Sequence, residues 1–283
     1  MNNIINIRRL GLVFRKEFME NWKRYILYFL TMLGIMTVII TWQSYDYQKI
    51  VKIGYGNFEY HNRDLLIALS LIFAVFGLIF ASTFMTPMNS KSKRINYLLN
   101  PSSNFEKYFS RWIIITIGYI IFFFIALWIA DSIRVGICAA YYKDIDIRFL
   151  DLTKLIDMEG RDFRTYFFSK EIFAMVVSIY FLFQSILILG STFWERMTFI
   201  KTFTASAVIL WSYILLCRWV ILLFYETLNV FGETIENMGD EYIKNIIQEK
   251  GAILLVSVLS VFILTNWTLA FFRFRESEIT KRL

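Results

Sequence analysis

"LLIALSLIFAVFGLIFASTFM", Leu65 to Met85, decides the fold class, because it runs for 21 residues without a charge. About 20 apolar residues in a helix cross the ~30 Å of hydrocarbon in a bilayer. The apolar positions are continuous rather than alternating, so a helix, not a barrel strand, satisfies the backbone in lipid. Five further runs repeat the pattern: Tyr25 to Trp42, Trp112 to Ala130, Ile172 to Phe193, Thr202 to Tyr225 and Ala252 to Phe272. Over all 283 residues 57% are hydrophobic and mean hydropathy is +0.52, against about 45–50% apolar in soluble domains. The expected fold is an all-α integral membrane protein of six transmembrane helices, one membrane domain over residues 1–283. No small-x-small site follows the first run and a long flank precedes it, so it reads as a retained span rather than a signal peptide.

Charge sets the expected orientation. With the amino terminus inside, the inner connections hold 17 Lys/Arg against 6 acids, and the outer loops hold 12 against 17. Basic residues gather on the cytoplasmic side, so both termini are expected in the cytoplasm of a multi-pass plasma (inner) membrane protein. The net charge of +7 is then a topology signal and needs no nucleic acid to explain it. Cys138 and Cys217 are too few for a disulfide framework, and no bridge between them is expected.

Ahead of the first span, Ile7, Leu10, Phe14, Phe18, Trp22 and Tyr25 recur at helical spacing, with basic residues around the rest of the circumference. Residues 7–24 are therefore expected to form an interfacial amphipathic helix in the headgroups, after which the chain turns into the bilayer. In the second span, Ser70, Ala74, Gly77 and Ala81 leave one face nearly bare, the form of a helix-packing surface. Two outer loops are expected, at residues 131–170 and 226–250. In the first, Ile145, Ile147 and Phe149 alternate with charges like a short strand within a small cap.

Several chemistries are excluded. No two of the 12 glycines have P-loop spacing, and the single histidine, His61, cannot build H-E-x-x-H or a His-based triad. G-x-S-x-G is absent as well. The remaining intramembrane polar candidates are Gln184, Arg218 and Asn266. Arg218 must snorkel outward or pair with Asp131 or Glu226, while Gln184 and Asn266 bond between helices or line a path.

Residues 88–111 link spans two and three on the inner side. Ile95, Leu98 and Leu99 form a short apolar edge beside Lys91, Lys93 and Arg94. Pro101 ends that helix, and Ser103 with Glu106 has capping-box spacing for a new one. A helix, a corner and a second helix make a firm protrusion on which a soluble partner could push. "YLLNPSSNFEKYFSRW", Tyr97 to Trp112, resembles the intracellular segment after the second span in type-2 ABC exporter permeases. Six spans, inward termini and the amphipathic first helix are also similar to that family.

The resemblance implies a transport subunit without its own ATPase site, itself holding no cofactor. ATP and Mg would sit on a separate ABC ATPase subunit docked on this coupling segment. It further implies pairing with a second permease, in a homodimer or heterodimer. The docking residues it implies are Lys93, Arg94, Tyr97, Leu98, Leu99, Pro101, Ser103, Glu106, Lys107 and Arg111. The long outer loop departs from compact family members. A rival expectation from another class is a non-transporting membrane scaffold or immunity-type protein.

Overall fold

The computed structural model describes residues 6–52, 58–88, 94, 95, 97, 99, 101–141, 149, 150, 152, 170–194, 198–223 and 241–280. Its helices are α1 (Ile7–Lys52), α2 (Phe58–Ser82), α3 (Asn104–Ile113), α4 (Tyr119–Tyr141), α5 (Lys170–Phe193), α6 (Thr198–Leu223) and α7 (Glu241–Thr280). A 3-10 turn, Thr86–Met88, follows α2, and a π segment, Ile114–Gly118, joins α3 to α4 into one rod. Six helical rods result, with no strand among the described residues. Five are long and apolar enough to cross a membrane, in the segments Ile7–Asp46, Asp64–Met88, Asn104–Tyr141, Phe173–Phe193 and Leu255–Glu276. The expected span Thr202 to Tyr225 lies on α6, where the apolar stretch found among the described residues is the shorter Phe199–Ile209.

The chain is an integral, multi-pass helical membrane protein. Its outer surface agrees: Trp42, Trp128, Phe203, Trp211 and Val261 are each 58–73% exposed. Water would make these faces costly patches, whereas hydrocarbon solvates them. The interior packs by close approach rather than by apolarity alone. Ala81, Ala126, Ala130 and Ala270 are fully buried, and at Gly77 a Cβ would collide with the Tyr180 ring and hydroxyl. Small residues let backbones approach where lipid supplies no hydrophobic drive. α5 packs most extensively on α7 and α1 on α4, with α2 against both α1 and α5. Met36 and Ile40 of α1, Leu65 of α2, Phe84 of the turn after it, and Ile188 of α5 fill the centre.

Two expectations are corrected. No corner separates residues 7–24 from the first span: α1 is one helix of 46 residues, about 69 Å long at 1.5 Å per residue. Lys23, Arg24 and Tyr25 contain no helix breaker, so nothing in that stretch stops propagation. The outer loop does not begin at Asp131, because α4 continues to Tyr141. In the second expected loop, residues 226–250, α7 starts at Glu241, in keeping with the helical periodicity of that segment. Ile145 and Ile147 of the expected strand lie outside the described residues, and Phe149 is in no regular element.

Candidate functional site

The helix start expected after Pro101 is present. Ser103 Oγ accepts from the Glu106 amide at 3.2 Å, the Glu106 carboxylate accepts from the Ser103 amide at 3.1 Å, and the capping box is complete. Glu106 does more than cap. Its Oε1 accepts from the Asn6 amide at 2.9 Å, and its Oε2 pairs with Arg9 Nε at 2.7 Å. One fully buried carboxylate thus holds the first turn of α3 and the first turn of α1 together. Two turns on, Arg111 Nη1 lies 3.1 Å from Glu17 Oε1, and both side chains are 95% or more buried. Asn21 Nδ2 donates to the same Glu17 carboxylate at 3.0 Å. Arg111 Nε finds no acceptor, so Glu17 is the charge that compensates this guanidinium.

α3 is gripped on its other side by α7. Tyr108 Oη donates to the Trp267 carbonyl at 2.9 Å, and the Phe105 ring meets Phe271 edge-on. Tyr97 extends the grip to the preceding segment. Its hydroxyl donates to the Lys107 carbonyl at 3.2 Å, its ring receives the Lys107 ammonium at 6.0 Å, and it packs on Phe274. Arg94 caps the turn after α2 by donating from Nε and Nη2 to the Met88 carbonyl.

The structure therefore divides the ten residues expected to dock. Glu106, Lys107 and Arg111 are 97–100% buried within the chain, so they position α3 instead of facing outward. Ser103 is committed to the cap. Leu99, at 74% exposure, and Pro101 face outward, joined by Ile95 at 57%. Lys93 and Leu98 lie outside the described residues. Sequence reading missed the partners Asn6, Arg9 and Glu17. A signal was available: Arg9, Val13, Glu17 and Asn21 repeat every four residues beside the apolar stripe. That stripe faces away from the bundle, with Ile7, Phe14, Phe18 and Trp22 exposed and only Tyr25 turned inward.

The intramembrane polar residues separate. Gln184 of α5 is 99% buried, with Nε2 3.5 Å from Thr116 Oγ1 and no partner for Oε1. Thr116 belongs to the π segment, whose Tyr119 amide reaches back to the Ile114 carbonyl. Asn266 Nδ2 donates to Ser185 Oγ at 3.0 Å, so one seam joins α5 to both the π segment and α7. Arg218 is exposed on α6 and does not pair with Asp131. Asp131 is taken by Arg134 Nε at 2.6 Å and by the Leu150 amide at 2.9 Å. Glu226 lies outside the described residues. Of the packing stripe, Gly77 receives Tyr180 and Tyr119, and Ala81 is fully buried, while Ser70 and Ala74 are half-buried. Cys138 is buried with a free thiol. Among the described residues no cluster of three or more His, Cys, Asp or Glu forms a metal site.

No family model, curated protein or solved structure matches the chain.

Proposed function

We propose that the chain is the membrane-spanning permease subunit of an ABC transporter, working as an exporter on ATP hydrolysed by a separate subunit. The observation that carries this reading is the clamp on α3. A short helix lies at one end of a rod about 57 Å long over its 38 residues, far longer than the ~30 Å hydrocarbon. Two ion pairs, that of Glu17 with Arg111 buried, fasten it to α1, and Tyr108 fastens it to α7. A push on Ile95, Leu99 and Pro101 would pass through Tyr97 into α3 and so reach three spans together. The resemblance of Tyr97 to Trp112 to the coupling segment of type-2 ABC exporter permeases supports the same assignment.

On this reading the clamped rim faces the cytoplasm, as does each terminus, in agreement with the excess of Lys/Arg there. The ATPase contacts the exposed Leu99 and Pro101, and Glu106, Lys107 and Arg111 carry its motion inward. A second permease completes the transport path in the plane of the membrane. The wider π turn at Ile114–Gly118 absorbs the tilt of α3 relative to α4, next to the unpaired Gln184 oxygen.

The test is purification in mild detergent from the native host, comparing wild type with an Ile95→Asp, Leu99→Asp variant. Both positions are exposed, so the variant is expected to insert and melt like wild type. Wild type should retain a P-loop ATPase and the variant should lose most of it. If no ATPase accompanies wild type under conditions that preserve a known transporter, the reading fails and a non-transporting scaffold takes its place.

A further inference from the structure

A cleft of about 340 Å³ opens beside the clamp, between α1 and the turn after α2, lined by Glu20, Asn21, Lys23, Arg24, Thr86, Pro87 and Tyr97. Its depth is fixed by sequence. Lys23 and Arg24 immediately precede the apolar run that starts at Tyr25, and Thr86 and Pro87 immediately follow the one that ends at Met85. The cleft therefore lies at the boundary between hydrocarbon and headgroups, and its volume suits a small polar ligand.

The neutral donors of the lining are engaged within the chain. The Asn21 amide donates to Glu17, the Thr86 hydroxyl to the Thr83 carbonyl, and the Tyr97 hydroxyl to the Lys107 carbonyl. Glu20 is engaged by Lys16 at 3.7 Å. Lys23 and Arg24 have no carboxylate partner among the described residues; the Lys23 ammonium lies 5.9 Å from the Trp22 ring centre. Two cations and one carboxylate, the latter engaged by Lys16, face a headgroup-sized space and leave it net positive, beside a tryptophan at the depth where such rings sit. Along the same helical stripe, at i+4 and i+7 from Lys23, Leu27 and Leu30 are 63% and 55% exposed. An apolar track continues from the cleft into the hydrocarbon.

We propose that this cleft binds the phosphate of an anionic phospholipid, with the headgroup between Lys23 and Arg24 and an acyl chain along Leu27 and Leu30. The track separates a lipid from free phosphate, which would need the cations alone. The site does not depend on a transport function.

Native mass spectrometry of the full chain in detergent, titrated with dioleoyl phosphatidylglycerol, dioleoyl phosphatidylcholine or inorganic phosphate, tests it. Wild type should retain one phosphatidylglycerol in preference to phosphatidylcholine. Lys23→Gln with Arg24→Gln should weaken that binding about thirtyfold, from about 1 kcal/mol per cation near a charged lipid. Arg8→Gln with Arg15→Gln removes the same charge from α1 outside the cleft and should leave it unchanged. Leu27→Ser with Leu30→Ser keeps both cations and should also weaken lipid binding. Equal loss in the Arg8, Arg15 control would overturn the site in favour of general surface charge. Inorganic phosphate that displaces the lipid at equal concentration, with the Leu27, Leu30 variant unaffected, would overturn the lipid assignment.

Discussion

Two buried charge clusters stand at opposite ends of the rod Asn104–Tyr141, and they are built on different plans. At the α3 end, Glu106 and Arg111 take partners about 100 residues away in sequence, on another helix. At the α4 end, Asp131 and Arg134 are partners on a single turn, 2.6 Å apart. From that local pair, contacts reach out, among them to Ser44 of α1 at 3.4 Å and to the Leu150 amide. A pair within one turn already satisfies itself, so it tethers what lies beside it without needing any particular position of a second helix. A pair split between helices exists only while those helices keep their register. The local plan at the α4 end suits an anchor, and the split plan at the α3 end suits the joint that would transmit displacement under the proposed function.

The largest effect should come from breaking the split pair on its acidic side. Glu17→Leu leaves the Arg111 guanidinium buried with no counter-charge, a loss of about 3–5 kcal/mol. Thermal unfolding in detergent measures it. Replacing both partners, Glu17→Leu with Arg111→Leu, should recover most of the loss, because a well-packed apolar pair can replace a buried ion pair. A double variant as unstable as the single one would show that the two side chains are not coupled. Glu106→Ala comes next, at about 2–3 kcal/mol, since it removes charge-assisted bonds to Arg9, the Asn6 amide and the Ser103 amide. Arg9 is 40% exposed and can turn to water, which keeps this loss below that of Glu17. Proteolysis near residues 6–10 should rise in step.

Asp131→Asn sharpens the contrast from the other end. It should cost about 3 kcal/mol, since Arg134 is 99% buried and loses the negative charge beside it, although Asn still accepts from Leu150. Its signature is spatial: hydrogen exchange should quicken around Phe149 to Leu152 and stay unchanged around Ser103 to Arg111. Exchange that spreads to the α3 end would mean that the two clusters form one cooperative unit and that the distinction drawn between them is false.

The fold was legible to the extent that it follows from local rules. Uncharged runs of spanning length mark membrane helices wherever they fall, and Pro101 with Ser103 and Glu106 marks a helix start from three residues alone. What was not legible depends on distant partners or on the absence of a signal. Arg9 and Glu17 look like ordinary flank residues until Glu106 and Arg111 are brought beside them, and their four-residue spacing was masked by the stronger apolar stripe next to it. The corner expected near Tyr25 required a breaker, and a basic-to-apolar change of composition is not one. Asp131 and Arg134 were assigned to a loop because charge ended the apolar run, although a helix continues through charges that satisfy each other at i and i+3. The π segment at Ile114–Gly118 has no sequence mark beyond its closing glycine.

The smallest expected effect concerns the seam between these two ends, where Asn266 donates to Ser185 at 3.0 Å. Interhelical hydrogen bonds in membrane proteins average only about 0.6 kcal/mol, because side chains released in lipid find other partners. Ser185 illustrates the reason, as its hydroxyl already donates to the Leu182 carbonyl of its own helix at 2.7 Å. A double-mutant cycle of Asn266→Leu and Ser185→Ala should therefore return a coupling of about 0.6 kcal/mol. The polar groups of the seam would then fix the orientation of α7 against α5 more than the stability of the bundle. A coupling as large as that of Glu17 with Arg111 would instead place the tightest joint of the molecule inside the bilayer, and the transmission of displacement would have to be sought there.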